Sequence, residues 1–108
     1  MSELIGMERV LYDVKHKRHR QIIVHGWSRA HDDTHTDGSL GIAAIPFIQA
    51  ACNDTLKLTD EELQVFWPWP GRFRSVDKRR EHLINAAALL VAEIERLDRI
   101  RVSNAHQT

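Results

Sequence analysis

One long amphipathic segment near the end of the chain constrains the fold more than any other feature. Residues 77–101 read DKRREHLINAAALLVAEIERLDRIR and contain neither proline nor glycine. Strong helix formers dominate the segment, and its apolar residues recur at steps of three and four, the spacing of a helix with a buried face. These apolar residues are Leu83, Ile84, Ala87, Leu90, Val91, Ile94, Leu97 and Ile100. A small protein must pack its other elements on a helix of this length.

Two further long helices are predicted upstream. The first runs from about Ser2 to Val24 and stops at Gly26, since glycine is the favoured residue just after a helix. The second covers Ser39–Ala51 and contains Pro46, which is expected to kink or divide it.

Small residues predict which helices meet. Gly41, Ala43 and Ala44 lie on the second helix, and the last helix carries an alanine-rich run around Ala87. Small side chains let two helix axes approach closely, so we expect these helices to touch. Because both are apolar around much of their circumference, a homodimer or higher homo-oligomer is predicted to share this surface.

The fold class that follows is all-α. A capping box formed by Thr59 and Glu62 predicts a short helix that ends at about Val65. The expected architecture is a single small helical bundle of three to four helices, with a Trp/Pro-rich loop before the long C-terminal helix. A chain of 108 residues is expected to form one domain over residues 1–108, with its last few residues disordered.

Composition argues against several functions. Lys and Arg together number 15, as do Asp and Glu, so no net charge favours nucleic acid as a partner. No apolar run approaches the ~20 residues of a membrane-spanning helix. A single cysteine, Cys52, and the lack of a signal peptide predict a cytoplasmic location.

The loop after the first helix is dense in histidine and aspartate. Its polar residues include His31, Asp32, Asp33, His35 and Asp37. They can serve as turn and cap residues, with Asp37 or Ser39 capping the next helix. Alternatively they bind a divalent metal ion, or hydrogen-bond a polar ligand such as a ribose or a base. Trp27, just before the loop, either folds onto the first helix or contacts that ligand.

The segment FWPWPGRFR cannot form a regular helix or a central strand, because it holds two prolines and a glycine. It is a stiff aromatic loop. Trp67 and Trp69 either plug one end of the bundle or stack on a flat ligand such as a nucleobase.

Basic residues crowd the predicted start of the last helix, where Ser75 or Asp77 is the N-cap. Lys78, Arg79 and Arg80 lie in the first turn. A helix N-terminus carries partial positive charge, so cations there are unfavourable unless an anion binds beside them. This indicates a phosphate-like ligand. Alternatively, Asp77 and Glu81 neutralise the cluster.

The first helix carries a basic stretch of its own, made of Lys15, His16, Lys17, Arg18, His19 and Arg20. These side chains either form a solvated helix face, or two or three of the cations, Arg20 above all, turn toward a ligand.

Glu95 and Asp98 place two carboxylates on one face of the last helix, which is the arrangement a magnesium site needs. Arginines interleave with them, so the alternative is a set of solvated ion pairs of small energetic value.

Several motifs together resemble a family. They are a GW pair at Gly26, HDDxHxDGxL from His31, the Trp/Pro-rich loop, DxRR from Asp77 and AEIERLDR from Ala92. This set, which covers most of the chain from about Arg18 onward, resembles small phage and prophage proteins. Those proteins are in turn distantly similar to the MazG-type all-α nucleotide pyrophosphohydrolases.

The MazG resemblance implies a magnesium site made by an E-x-x-E pair on one helix and an E-x-x-D pair on the next. Glu95-x-x-Asp98 matches the second pair. The first pair has no match, because Ile23 and His25 stand where acids are common in those enzymes. The resemblance therefore implies nucleotide binding and leaves hydrolysis without half of its metal site.

Three functions are compatible with these patterns. The first is a non-catalytic binder of a phosphorylated, nucleotide-like small molecule, without a cofactor; the phage resemblance implies that it sequesters a defence signal in the host cytoplasm. The second is a magnesium-dependent, MazG-like nucleoside triphosphate pyrophosphohydrolase. The third is a protein–protein inhibitor or adaptor whose aromatic loop is the contact surface.

Overall fold

The computed structural model describes residues 2–25, 28–75 and 78–107 of the chain. All regular secondary structure in these ranges is helical, which confirms the predicted all-α fold. The helices are α1 (Ser2–His25), α2 (Arg29–Asp32), α3 (Ser39–Ala51), α4 (Asn53–Leu56), a 3₁₀ helix (Glu62–Gln64) and α5 (Arg79–Gln107). Of these, α1, α3 and α5 are long and form the body of the protein.

The core lies between α3 and α5. Ala43 and Ala44 of α3 are buried against Ala86, Leu89 and Ala92 of α5, so the small residues do bring these two helices together. The sequence predicted that a homodimer shares this surface. In the structure the same surface is used for packing within the chain.

Pro46 does not divide α3, which continues as one helix from Ser39 to Ala51. Proline removes a single backbone donor, and Pro46 is itself buried against the rest of the core. Packing against α5 therefore holds the helix together across that position. The N-cap of α3 is Gly38 and no side chain caps this helix, so the prediction that Asp37 or Ser39 is the cap is wrong. Asp37 Oδ1 instead accepts a hydrogen bond from the backbone N–H of Ser39 at 3.0 Å and closes a turn before the helix.

The helix α5 differs from its prediction at both ends. It begins at Arg79, and it continues past Arg101 to Gln107 because no proline or glycine interrupts the final residues. Besides its contact with α3, α5 also packs on α1, where Val14 and Ile84 are buried. The two helices nevertheless leave many large apolar side chains exposed on their outer faces.

The connection between α4 and α5 is fixed by side-chain hydrogen bonds to the backbone. Thr59 and Glu62 form the predicted capping box, with reciprocal N···O distances of 3.0 and 3.2 Å. The helix that follows is shorter than predicted and is a 3₁₀ turn, because the proline-containing loop begins soon after it. The Gln64 amide then bonds both backbone groups of Phe73, at 2.7 and 2.8 Å, and closes the aromatic loop.

Three predicted features, the Gly26 cap, Trp27 and the Asp77 cap, fall outside the described residues. Cys52 ends α3, and its thiol is exposed and free. Among the described helices, none combines the length and apolar character needed to cross a membrane.

Candidate functional site

A basic groove runs between α1 and the start of α5, with a volume of about 710 Å³. We call it the α1–α5 groove. Its walls are formed by Tyr12, Asp13, His16, Lys17, Arg20, Lys78, Arg79, Arg80, Glu81 and Ile84. Four of the residues predicted to bind a ligand therefore converge here from two distant parts of the chain: Arg20, Lys78, Arg79 and Arg80.

The groove carries an excess of positive charge. Five cationic side chains face two carboxylates, Asp13 and Glu81. Arg80 pairs with Asp13 at 2.8 Å, and Arg79 pairs with Asp54 of α4 at 2.7 Å. Both arginine side chains are well exposed, so each pair contributes only about 0–1 kcal/mol and can open for a stronger anion.

The other three cations, Lys17, Arg20 and Lys78, take part in no ion pair within the described part of the chain. Among the described residues no carboxylate lies within ion-pair distance of them, and they line the same groove. A groove with unneutralised cations on both walls raises the local concentration of anions. This arrangement suits a ligand with more than one negative group.

An aromatic pair also lines the groove. The rings of Tyr12 and His16 lie 5.7 Å apart between centroids and tilt by 45°. Tyr12 is 63% exposed, so a flat ligand has access to its face. The sequence did not single out these residues, although the i, i+4, i+8 spacing of Tyr12, His16 and Arg20 places all three on one face of a helix.

One member of the basic stretch on α1 is buried. Arg18 is 5% exposed and donates from Nη2 to Oδ2 of Asp32, which is fully buried. Burial raises the pKa of the Asp32 carboxyl, and the Arg18 guanidinium counteracts that shift. Asp32 was predicted as a ligand contact, whereas the structure places it in this internal ion pair. The sequence of the basic stretch from Lys15 to Arg20 did not indicate which of its residues is buried.

The neighbouring aspartate makes a second connection. Asp33 Oδ1 accepts hydrogen bonds from Arg99 of α5, at 2.8 Å from Nη2 and 3.1 Å from Nε. Consecutive residues thus tie the short helix α2 to α1 through Asp32 and to α5 through Asp33. Both aspartates hold the loop in place rather than face the α1–α5 groove.

The histidines of the loop form a separate cluster with the tryptophans. His31 and His35 lie with ring centroids 4.6 Å apart, and His35 is 5.4 Å from Trp69. Trp69 in turn meets Trp67, which packs on Phe47 of α3. Trp67 and Trp69 are half-buried against the core, so the aromatic loop closes this side of the bundle and does not line the groove.

Glu95 and Asp98 each lie near an arginine. Glu95 Oε1 is 3.6 Å from Nε of Arg18, and Asp98 Oδ1 is 4.0 Å from Arg101. Over the described ranges, no group of three or more His, Cys, Asp or Glu side chains is arranged to hold a metal ion. A magnesium site at this pair would have to form with groups from elsewhere.

Comparison with known proteins gives no relative. No protein-family model matches the chain, and no curated protein or solved structure shows significant similarity to it. The resemblance to phage proteins and to MazG-type enzymes stays a prediction from the motifs. We therefore infer the function from the geometry of the α1–α5 groove.

Proposed function

We propose that the protein binds a phosphorylated, nucleotide-like small molecule in the α1–α5 groove, without changing it chemically. The observation that carries this proposal is the convergence of Lys17 and Arg20 of α1 with three consecutive cations at the start of α5 on one groove of about 710 Å³. Charge-assisted hydrogen bonds from guanidinium and ammonium groups to phosphate are roughly twice as strong as neutral hydrogen bonds.

The aromatic pair supports the nucleotide part of the proposal. The exposed face of Tyr12 offers a surface on which a base stacks, and such stacking contributes about 1–3 kcal/mol per base. Arg20 lies on the same helix face, so base and phosphate contacts are available to one ligand.

The biological setting is part of the same proposal. A protein that holds a nucleotide-like signal without turnover sequesters it, and the phage resemblance implies that the signal belongs to host defence and that the protein acts in the host cytoplasm. The two alternatives have weaker support. Glu95 and Asp98 lie beside arginines, and the aromatic loop packs on the core of its own chain.

Binding is tested with the pure protein and a panel of nucleoside mono-, di- and triphosphates, cyclic nucleotides and inorganic pyrophosphate. A ligand at 100 times its Kd stabilises the fold by about 2.7 kcal/mol, which thermal unfolding detects easily. Chromatography of the recovered ligand shows whether it is unchanged. Magnesium-dependent release of pyrophosphate would instead establish the hydrolase.

The variant Lys17→Ala with Arg20→Ala removes two groove cations that form no ion pair with any of the described residues, so its fold should be intact. We expect it to lose the thermal shift. The matched control, Arg74→Ala with Arg101→Ala, removes two exposed cations outside the groove and should keep the shift. Equal shifts in both variants would exclude the groove as the binding site.

We also propose a homodimer, with a second copy of the chain covering the outer faces of α5 and α1. The support is a row of half-exposed apolar residues on α5 with coiled-coil spacing, Leu83, Leu90, Ile94 and Leu97, at 44–58% exposure. Leu11 of α1 is 60% exposed as well. Burial of these side chains by a second copy would remove apolar surface from water.

A further inference from the structure

We propose that His31 and His35 bind a divalent transition-metal ion of the Zn²⁺, Ni²⁺ or Cu²⁺ class through their Nε2 atoms. The proposal concerns the loop between α1 and α3, and it does not depend on the function proposed for the α1–α5 groove. Two histidines separated by three residues form the H-x-x-x-H spacing that lets both imidazoles reach one ion.

The distance between the two nitrogens carries the proposal. Nε2 of His31 and Nε2 of His35 lie 3.4 Å apart, with the rings inclined at 68°. Zinc–imidazole bonds of about 2.0–2.1 Å at a tetrahedral angle put two ligand nitrogens about 3.3–3.4 Å from each other. In the absence of an ion, the same distance allows a long hydrogen bond between the two rings, with one imidazole as donor and the other as acceptor. The pair is thus spaced as two corners of a metal tetrahedron.

The groups behind His31 suit a metal ligand. Its Nδ1 lies 3.9 Å from Oδ1 of Asp32, and both atoms are buried without a hydrogen-bond partner within the described residues. Metal-binding histidines usually donate the N–H of their other nitrogen to a carboxylate, which turns the free lone pair toward the ion. Oδ1 of Asp32 is the nearby acceptor for this N–H, while Arg18 holds the other oxygen of the carboxylate.

The backbone around the pair is held in place before any ion binds. Thr34 Oγ1 donates to the carbonyl of His31 at 2.6 Å, and the N–H of His35 donates to the carbonyl of Asp32 at 3.0 Å. The Asp33–Arg99 pair fixes the loop to α5. This preorganisation lowers the entropy lost when both imidazoles are aligned on one ion.

The coordination chemistry defines the class of ion. Two imidazoles favour zinc, nickel and copper over magnesium and calcium, which prefer oxygen ligands. The described residues bring no third histidine, cysteine or carboxylate ligand to the pair. The remaining positions are therefore open to water or to a donor atom of a small molecule, as in metal sites that exchange their ligands.

Isothermal titration of untagged protein with ZnCl₂, in a buffer that does not chelate the ion, tests the site. We expect one saturable Zn²⁺ per chain and no binding of MgCl₂. His31→Gln and His35→Gln should each weaken Zn²⁺ binding by roughly tenfold or more. His19→Gln, which removes an exposed histidine of α1 away from the loop, is the matched control and should bind as the wild type does.

A second measurement needs no substitution. Zn²⁺ added to the ¹⁵N-labelled wild-type protein should shift the imidazole Nε2 resonances of two histidines only. Absence of saturable Zn²⁺ binding, equal loss in His19→Gln and His35→Gln, or shifts spread over all histidines would each overturn the proposal.

Discussion

At the residue scale, the buried pair of Arg18 and Asp32 shows how one contact separates residues that look alike in the sequence. The stretch from Lys15 to Arg20 reads as a uniformly basic helix segment. In the folded chain Arg18 is buried on Asp32, while Lys17 and Arg20 face the α1–α5 groove. Burying two charges is unfavourable unless each neutralises the other, so neither residue tolerates loss of its partner.

Replacing Asp32 by asparagine leaves the buried Arg18 guanidinium without its carboxylate. We expect a loss of about 3–5 kcal/mol of unfolding free energy, reduced if Glu95 moves closer to Arg18. Asp33→Asn, next to it, removes a partly exposed pair and should change stability by about 0–1 kcal/mol. Urea unfolding followed by circular dichroism measures both variants, and similar losses would show that the Arg18 pair has no special role.

Tyr12 separates base recognition from phosphate recognition. If a nucleotide stacks on its exposed ring, Tyr12→Ala should weaken nucleotide binding by about 1–3 kcal/mol, roughly 5- to 150-fold. Binding of inorganic pyrophosphate should not change, because it uses only the cations. Calorimetry with both ligands measures the difference, and equal losses would contradict stacking on Tyr12.

At the element scale, two hydrogen-bonded carboxylates near helix starts couple stability to acid. Hydrogen bonds to Ser39 lower the pKa of Asp37 below its ordinary 3.8, and hydrogen bonds to Thr59 lower the pKa of Glu62 below its ordinary 4.5. A folded-state pKa below the unfolded value gives stability that is complete above the ordinary pKa and is lost as pH falls through the folded-state pKa.

The double variant Asp37→Asn with Glu62→Gln should therefore show a shallower loss of unfolding free energy between about pH 5 and pH 3 than the wild type. Glu8→Gln, an exposed carboxylate away from both helix starts, is the control and should follow the wild-type slope. Thermal unfolding at a series of pH values gives the slopes. Identical slopes for the wild type and the double variant would mean that the two carboxylates contribute nothing.

Local patterns predicted the elements better than the site. Three patterns were sufficient to predict much of the fold. The 3.6-residue period predicted the long helices, the T-x-x-E box predicted one cap, and the small residues predicted the contact between α3 and α5. Each pattern depends on neighbours in the sequence. The groove depends on which face of α1 meets the start of α5, and no local pattern fixes that. For the same reason, Tyr12 and His16 were missed. The sequence left two roles open for Trp67 and Trp69, and their packing against the core agrees with the first, closure of one end of the bundle.

At the scale of the whole molecule, the exposed apolar row on α5 predicts self-association. Leu90→Glu with Ile94→Glu places charge in the centre of the row and should convert a dimer into a monomer. Val65→Glu is the control, because Val65 is 70% exposed but lies in the connection before the aromatic loop. It should leave the molecular mass of the protein in solution unchanged. Light scattering after size exclusion measures all three proteins, and a monomeric wild type at every concentration would exclude the interface.

The free thiol of Cys52 lies two positions before Asp54, whose carboxylate holds Arg79 at the rim of the α1–α5 groove. Since no other cysteine is present, a fluorophore attached there labels a single place without any engineered residue. A bound phosphate that draws Arg79 away from Asp54 would alter the surroundings of the dye. A dye on Cys52 would therefore report whether a ligand occupies the α1–α5 groove.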